Sequence, residues 1–192
     1  MGCLAQIIPE RVPAEGAACV WGVQIRGGPE VDAASGFKRE GAATEPFEIL
    51  FFNSGGTGAQ AGQNGLSATG FPSGVRAMPI EVVETMGPVV IWRKELRPES
   101  GGAGKWCGGL GQILEVGTRD DSPFLLFAMF DRVSHPARGR MGGEDGLPGI
   151  IRIKDGARLE PKGVQLIHSG QRLELLLPGG GGYGQVGDHD PS

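Results

Sequence analysis

Three histidines, three cysteines and several glycine-rich fingerprints are the features of this 192-residue chain that invite a chemical reading. His135, His168 and His189 lie 33 and 21 residues apart, whereas histidine ligands to a metal usually come at short, regular spacings. They read as surface or hydrogen-bonding residues, and no metal site is expected on them. Cys3, Cys19 and Cys107 are odd in number and form no CxxC. That spacing argues against a disulfide framework or a zinc site and for a reducing, cytoplasmic setting. Ser67 and Ser73 lie outside any GxSxG nucleophile elbow.

Three stretches imitate nucleotide loops, and each fails a specific test. Gly56–Thr57–Gly58 follows a strand-like run, but Gly62, Gly65, Gly70, Pro72 and Gly74 occupy the place of the helix that a dinucleotide fingerprint requires. Gly182–Tyr183–Gly184–Gln185–Val186–Gly187 has the same spacing, yet too little chain follows for a helix and second strand. Gly104–Lys105 suggests a phosphate loop, but Glu99 and Trp106 stand where glycine and Ser/Thr are needed. No cofactor is expected on this segment.

The charged candidates are two pairs. Asp131–Arg132 ends an apolar run and opens a Gly/Pro-rich loop, a position where a strand fixes a side chain and a loop exposes it. The pair is a candidate to line a site; the bland alternative is a structural ion pair or an aspartate accepting loop amides. Glu81 and Glu84 share one face of a short helix and suit acid–base work, or simply its N-terminal dipole.

Positioning these groups falls to short strands. Residues 18–26, 46–53, 88–96, 110–116, 124–130, 150–153 and 173–177 read as strands, the third with Val90, Trp92 and Lys94 on one side. Helical turns are expected at 2–9 and after Pro79, a turn at 154–156, and a loop over 27–45. The fold class is α+β and β-rich: one domain over 1–192, of mostly antiparallel or mixed strands, with one or two short helices and long glycine-rich loops. Nearly a fifth of the chain is glycine, and 25 of the 36 glycines fall in 55–74, 101–117, 139–149 and 179–187. No three-residue period exists, which excludes collagen. Clustering between apolar runs makes these ordered, mutually packed loops rather than a disordered tract.

Charge excludes other classes. The net charge is −4 and no basic run occurs, so nothing favours nucleic acid. No apolar run reaches the length of a membrane span. The N-terminus has neither a signal-peptide pattern nor, with Gln6 at the sixth position, a myristoylation pattern.

Five motifs come in a fixed order: PERVPAEG at 9–16, GLSATGFPSGVRAMPIEVVE at 65–84, ELRPESGGAGKWCGGLG at 95–111, FDRVSHPARGRMGGEDGLPG at 130–149 and LLPGGGGYG at 176–184. In combination they resemble the C-terminal part of the hydantoinase B/oxoprolinase family, over nearly the whole chain. The resemblance implies part of an ATP-dependent enzyme that opens cyclic amides such as hydantoin or 5-oxoproline, with acetone-type carboxylases as relatives. It implies a hydantoinase A-like partner subunit or domain that uses ATP with Mg, and within that activity Arg132 is expected to hold an anionic or phosphorylated substrate, with Asp131 orienting it. It also implies a possible divalent metal on an N-terminal His/Asp-rich region that is absent here. On that comparison the chain is a fragment, 185–192 is a disordered or truncated tail, and His135 stands where relatives favour an apolar residue. The competing expectation is a scaffold that does no chemistry of its own.

Overall fold

The structure, a computed structural model, describes residues 3–17, 20–36, 45–70, 74 and 78–187. In chain order the elements are α1 (Leu4–Ile7), a 3-10 turn (Pro9–Arg11), β1 (Val20–Gly27), α2 (Pro29–Ser35), β2 (Phe47–Ser54), α3 (Ile80–Thr85), β3 (Val89–Leu96), β4 (Gln112–Thr118), β5 (Phe124–Met129), β6 (Ile150–Ile153), β7 (Lys162–Ile167) and β8 (Leu173–Leu176). The strands form two four-stranded sheets, ordered β2-β1-β5-β7 and β3-β4-β8-β6. Every pairing within these sheets is antiparallel.

Alternation along the strands builds the core. Trp21, Val23 and Ile25 of β1, Ile49 and Phe51 of β2, and Leu126 of β5 meet Leu114 and Val116 of β4 and Leu173 and Leu175 of β8 in one buried cluster. Each such side chain contributes roughly 1.5–3 kcal/mol by leaving water. Trp21 is fully buried and its Nε1 donates to the Asp131 carbonyl at 3.1 Å. That bond ties the end of β5 to β1.

Three elements depart from the sequence reading. α2 lies in the stretch read as a loop, although its signals are present: Pro29 in the first turn, Glu30 and Asp32 beside it, and Gly36 closing the helix at φ 75°. The Gly/Ala-rich surroundings hide them. β7 was not foreseen because Lys162, Gly163 and Val164 are all exposed on an edge strand, so apolar alternation never develops. In β3 the register slips between Ile91 and Arg93. This bulge at Trp92 turns Arg93 outward beside Glu115, and Lys94 donates instead to the Met78 carbonyl at 2.7 Å. Trp92 and Lys94 therefore do not share a face.

Candidate functional site

The glycine motifs meet at one end of the sandwich. Segment 178–184, leaving β8, runs among segments 14–17, 55–59, 100–109 and 137–146. Gly56 N–H donates to the Pro178 carbonyl (3.0 Å), Gly180 N–H to Gly109 (2.9 Å), Gly109 N–H to Thr57 (2.9 Å) and Gly102 N–H to Gly180 (2.8 Å). Gly181 N–H donates to Glu15 (2.8 Å), Ala59 N–H to Gly181 (3.0 Å), Gly182 N–H to Glu144 (2.8 Å) and Arg140 N–H to Gly182 (2.9 Å). The result is a lattice of irregular backbones bonded to one another rather than a set of separate turns.

The lattice explains why these positions are glycine. Nine glycines among the described residues have positive φ, and six of them, such as Gly36 and Gly170, would place a Cβ in open space. The lattice glycines at 56, 102, 109, 146 and 179–182 do not have positive φ. A Cβ there would strike a neighbouring backbone: at Gly146 it would lie 2.6 Å from the Gly179 oxygen and 2.7 Å from the Gly180 oxygen. Close approach of chains, not unusual dihedrals, selects glycine here. The amides of Gly102, Gly109 and Gly180–Gly182 are all engaged by protein carbonyls. They are committed to the lattice.

Side chains brace this frame. Arg97 is buried, and its Nη1 donates to the Pro148 carbonyl (2.8 Å) and the Leu177 carbonyl (3.2 Å). Burial lowers the pKa of its guanidinium from the usual arginine value. Ser100 Oγ donates to the Arg97 carbonyl (2.7 Å) and accepts from Gly111 N–H (2.9 Å). Tyr183 stacks at a tilt on Trp106 and reaches the Pro9 carbonyl at 3.3 Å.

At the edge of the lattice stands a charged cluster centred on Glu15. Arg132 Nη1 donates to Glu15 Oε2 (2.9 Å) and the Pro136 carbonyl (3.2 Å); Arg138 donates to Oε1 from Nε (2.9 Å) and Nη2 (2.6 Å). Burial alone would raise the Glu15 pKa, but the hydrogen bonds from Arg138 and Arg132 outweigh it and hold the carboxyl at about 2. Arg132 has φ 60°, a left-handed conformation that costs a non-glycine residue energy. Its side chain is 22% exposed, against 74% for Arg138. The cluster therefore offers one sheltered and one open guanidinium around a single carboxylate.

The sequence candidates do not all converge here. Asp131 and Arg132 are neighbours in sequence but diverge: the Asp131 carboxylate is exposed and pairs with Lys162 at 2.6 Å, so it does not orient Arg132. Glu84 accepts from Ile91 N–H at 3.0 Å and caps the start of β3. His135 and His168 are exposed and far apart in sequence, while His189, Cys19 and Ser73 lie outside the described residues. Ser67 Oγ accepts from Leu110 N–H (3.0 Å). Lys105 lies over the Trp106 ring at 5.2 Å. Among the described residues no group of three His, Cys, Asp or Glu is placed to hold a metal ion, and no helix is long and apolar enough to cross a membrane. Glu15 and Arg138 were not singled out in the sequence reading, because Glu15 meets Arg132 across 117 residues of chain. Both nonetheless fall within the quoted motifs.

Comparison with known proteins gives a consistent result. The family model described as hydantoinase B/oxoprolinase matches residues 1–186. A Pseudomonas sp. (strain NS671) protein, provisionally named as the B-type component of a D-/L-hydantoinase, is 32% identical over 198 aligned positions, covering all of this chain and 31% of its own length. The 5-oxoprolinase 1 of Arabidopsis thaliana is 36% identical over 135 positions, covering 68% of this chain and 10% of its own. The crystal structure of an ATP-dependent caprolactamase from Pseudomonas jessenii superposes with a TM-score of 0.74 at 24% identity, over 98% of this chain and 33% of that one. This last likeness shows the fold. The chain spans a third or less of each of these relatives.

Proposed function

The chain belongs to the hydantoinase B/oxoprolinase family, and from that premise we propose that it is the glycine-lattice module of an ATP-dependent enzyme that opens cyclic amides of the hydantoin or 5-oxoproline type. The family match over residues 1–186 carries this reading. An amide carbonyl is a poor electrophile and its nitrogen a poor leaving group, so ring opening needs activation. In this proposal ATP, with Mg, is used by a hydantoinase A-like partner subunit or domain in the cytoplasm, and the activated carbonyl is then attacked by water. Any divalent metal is placed by the family resemblance on a region outside this chain; among the described residues no group of three His, Cys, Asp or Glu is placed to hold one.

In this reading the lattice is a rigid frame for one wall of the substrate cavity and for subunit contacts. Arg132 is the proposed site residue. Held by Glu15 and the Pro136 carbonyl, its guanidinium is pre-organised beside the open Arg138, on which the Asp145 carboxylate also acts, and these two guanidiniums are the proposed contacts for an anionic or phosphorylated substrate. Asp131 serves by anchoring the end of β5, through Trp21 at its carbonyl and Lys162 at its carboxylate.

The test is ATP-dependent hydrolysis of 5-oxoproline and hydantoin by the assembled complex carrying Arg132→Ala or Arg132→Lys. Loss of a charge-assisted contact of roughly 1.5–3 kcal/mol corresponds to about a 10–100-fold drop in kcat/KM. Unchanged turnover and KM remove Arg132. A second reading, a scaffold without chemistry, draws on the engagement of the lattice amides and of Arg132 by the protein itself. It predicts calorimetric binding of a hydantoinase A-type protein by this chain, with no catalytic loss on any substitution in the Glu15 cluster.

A further inference from the structure

The two sheets present opposite kinds of outer face. On the second sheet a row of charges crosses all four strands, with Arg93, Glu115, Glu174 and Arg152 in register. Lys154 and Arg172 close on Glu115 at 2.6 and 2.9 Å, and Arg172 lies 3.9 Å over the Trp92 ring. Glu115 and Glu174 are buried beneath these partly exposed cations, so the polar groups of that face are paired with one another. On the first sheet the equivalent row is Leu50, Gln24, Phe127 and Val164, again one residue from each strand. Phe52 and Met129 extend it at one end. Four of these apolar side chains are well exposed: Leu50 42%, Phe52 41%, Val164 58% and Met129 60%. Phe52 and Leu50 lie against Gly22, where an added Cβ would touch them at 3.4 and 3.5 Å, so the patch is continuous across β1 and β2. Contiguous apolar surface rimmed by charge, here Arg26, Glu48 and Lys162, marks an interaction site on a soluble protein.

We propose that this outer face of the first sheet docks the part of a hydantoinase B-type polypeptide that this chain does not contain, through an apolar surface on that part. The occupant is chosen from length: the part matched by this chain is 31% of the Pseudomonas hydantoinase component and 33% of the caprolactamase chain, so about two thirds of each relative's polypeptide lies outside it and is available to cover this face. On the second sheet the exposed large apolar side chains, Trp92 and Leu96, come from the single strand β3, whereas those of the first sheet come from β2, β5 and β7. The inference rests on family membership and not on the cyclic-amide reading, so it stands or falls separately from it.

The experiment co-purifies this chain with the remaining hydantoinase B-type segment from its own source and measures the complex by sedimentation. Thermal melts verify that each variant folds. A 1:1 complex is expected, weakened at least about tenfold by Phe52→Lys or Val164→Lys, one on each edge strand of the patch, and unaffected by Trp92→Gln on the other sheet. Peroxide oxidation of the wild-type protein gives a readout free of any folding defect: Met129 should be protected several-fold in the complex, while the exposed Met86 is not. Self-association of this chain in place of the complex, a complex indifferent to both lysine variants, unprotected Met129, or absence of any such binding segment would each overturn the proposal.

Discussion

Replacing Gly146 by alanine tests whether close backbone approach maintains the lattice. The added methyl would lie 2.6 Å from the Gly179 oxygen, 2.7 Å from the Gly180 oxygen and 2.8 Å from the Gly179 carbonyl carbon. Ordinary carbon–oxygen contact needs roughly half an ångström more, and the atoms that must yield are backbone rather than a flexible side-chain tip. Displacing Gly179–Gly180 also strains the bonds of Gly180 to Gly109 (2.9 Å) and of Gly102 to Gly180 (2.8 Å). Overpacking costs about 1–3 kcal/mol, and two weakened buried hydrogen bonds add about 1–2 kcal/mol. The expected loss of roughly 2–5 kcal/mol is a large part of a typical folding stability of about 5–15 kcal/mol. The control is Gly117→Ala in β4, where the new Cβ meets Trp92 Nε1 at 3.4 Å and Arg172 Cγ at 3.5 Å, ordinary contact. That change should be neutral or gain up to about 1 kcal/mol, because alanine stiffens a strand. Urea unfolding followed by circular dichroism gives both values. A Gly146→Ala loss below about 1 kcal/mol, or a Gly117→Ala loss equal to it, would refute the claim that the close approach of backbone segments selects these glycines.

Three further outcomes follow from the charged groups. Because the folded Glu15 pKa lies at about 2 against an ordinary 4.5, its ion pairs contribute stability that is complete above pH 4.5 and lost as pH falls toward 2; Glu15→Gln should flatten that limb of an acid titration by about 1–3 kcal/mol, the lower end reflecting the exposure of Arg138. Burial raises the pKa of Glu115 while hydrogen bonds from Lys154 and Arg172 lower it further than that, leaving it below the ordinary value. Glu115→Ala should cost about 1–2 kcal/mol in the same urea assay, since Lys154 and Arg172 are each 37% exposed and regain water when the carboxylate is lost, with less loss in the triple variant that also removes both. Arg97→Met should lower stability by about 2–4 kcal/mol, since the Pro148 and Leu177 carbonyls lose their donor; hydrogen exchange at Gly111 and Gly179 should quicken with it, and unchanged exchange would remove Arg97 as a brace.

The strands and the motifs were legible in the sequence for a local reason. The short apolar runs in 46–53 and 124–130, and the turn residues around them, act within a few positions of each other, and β2 and β5 appear where those runs put them. The fixed order of the glycine motifs likewise identified the family that the comparison found. Where the local signal was weak, as in the exposed edge strand β7, the reading failed. Where one extra residue shifts a register, as at Trp92 in β3, strict alternation misassigned a face. The function of each glycine was decided only by tertiary structure. A glycine in a turn and a glycine in the lattice are the same letter; they differ in whether another backbone lies within reach of the missing Cβ, and that backbone comes from segments far away in sequence. The same holds for Arg132. Its neighbour Asp131 was the natural partner on paper, but the left-handed turn at Arg132 and the crossing of segment 14–17 give it Glu15 instead. Composition and pattern specified the chemistry the chain can offer; contacts across 117 residues decided which charges meet.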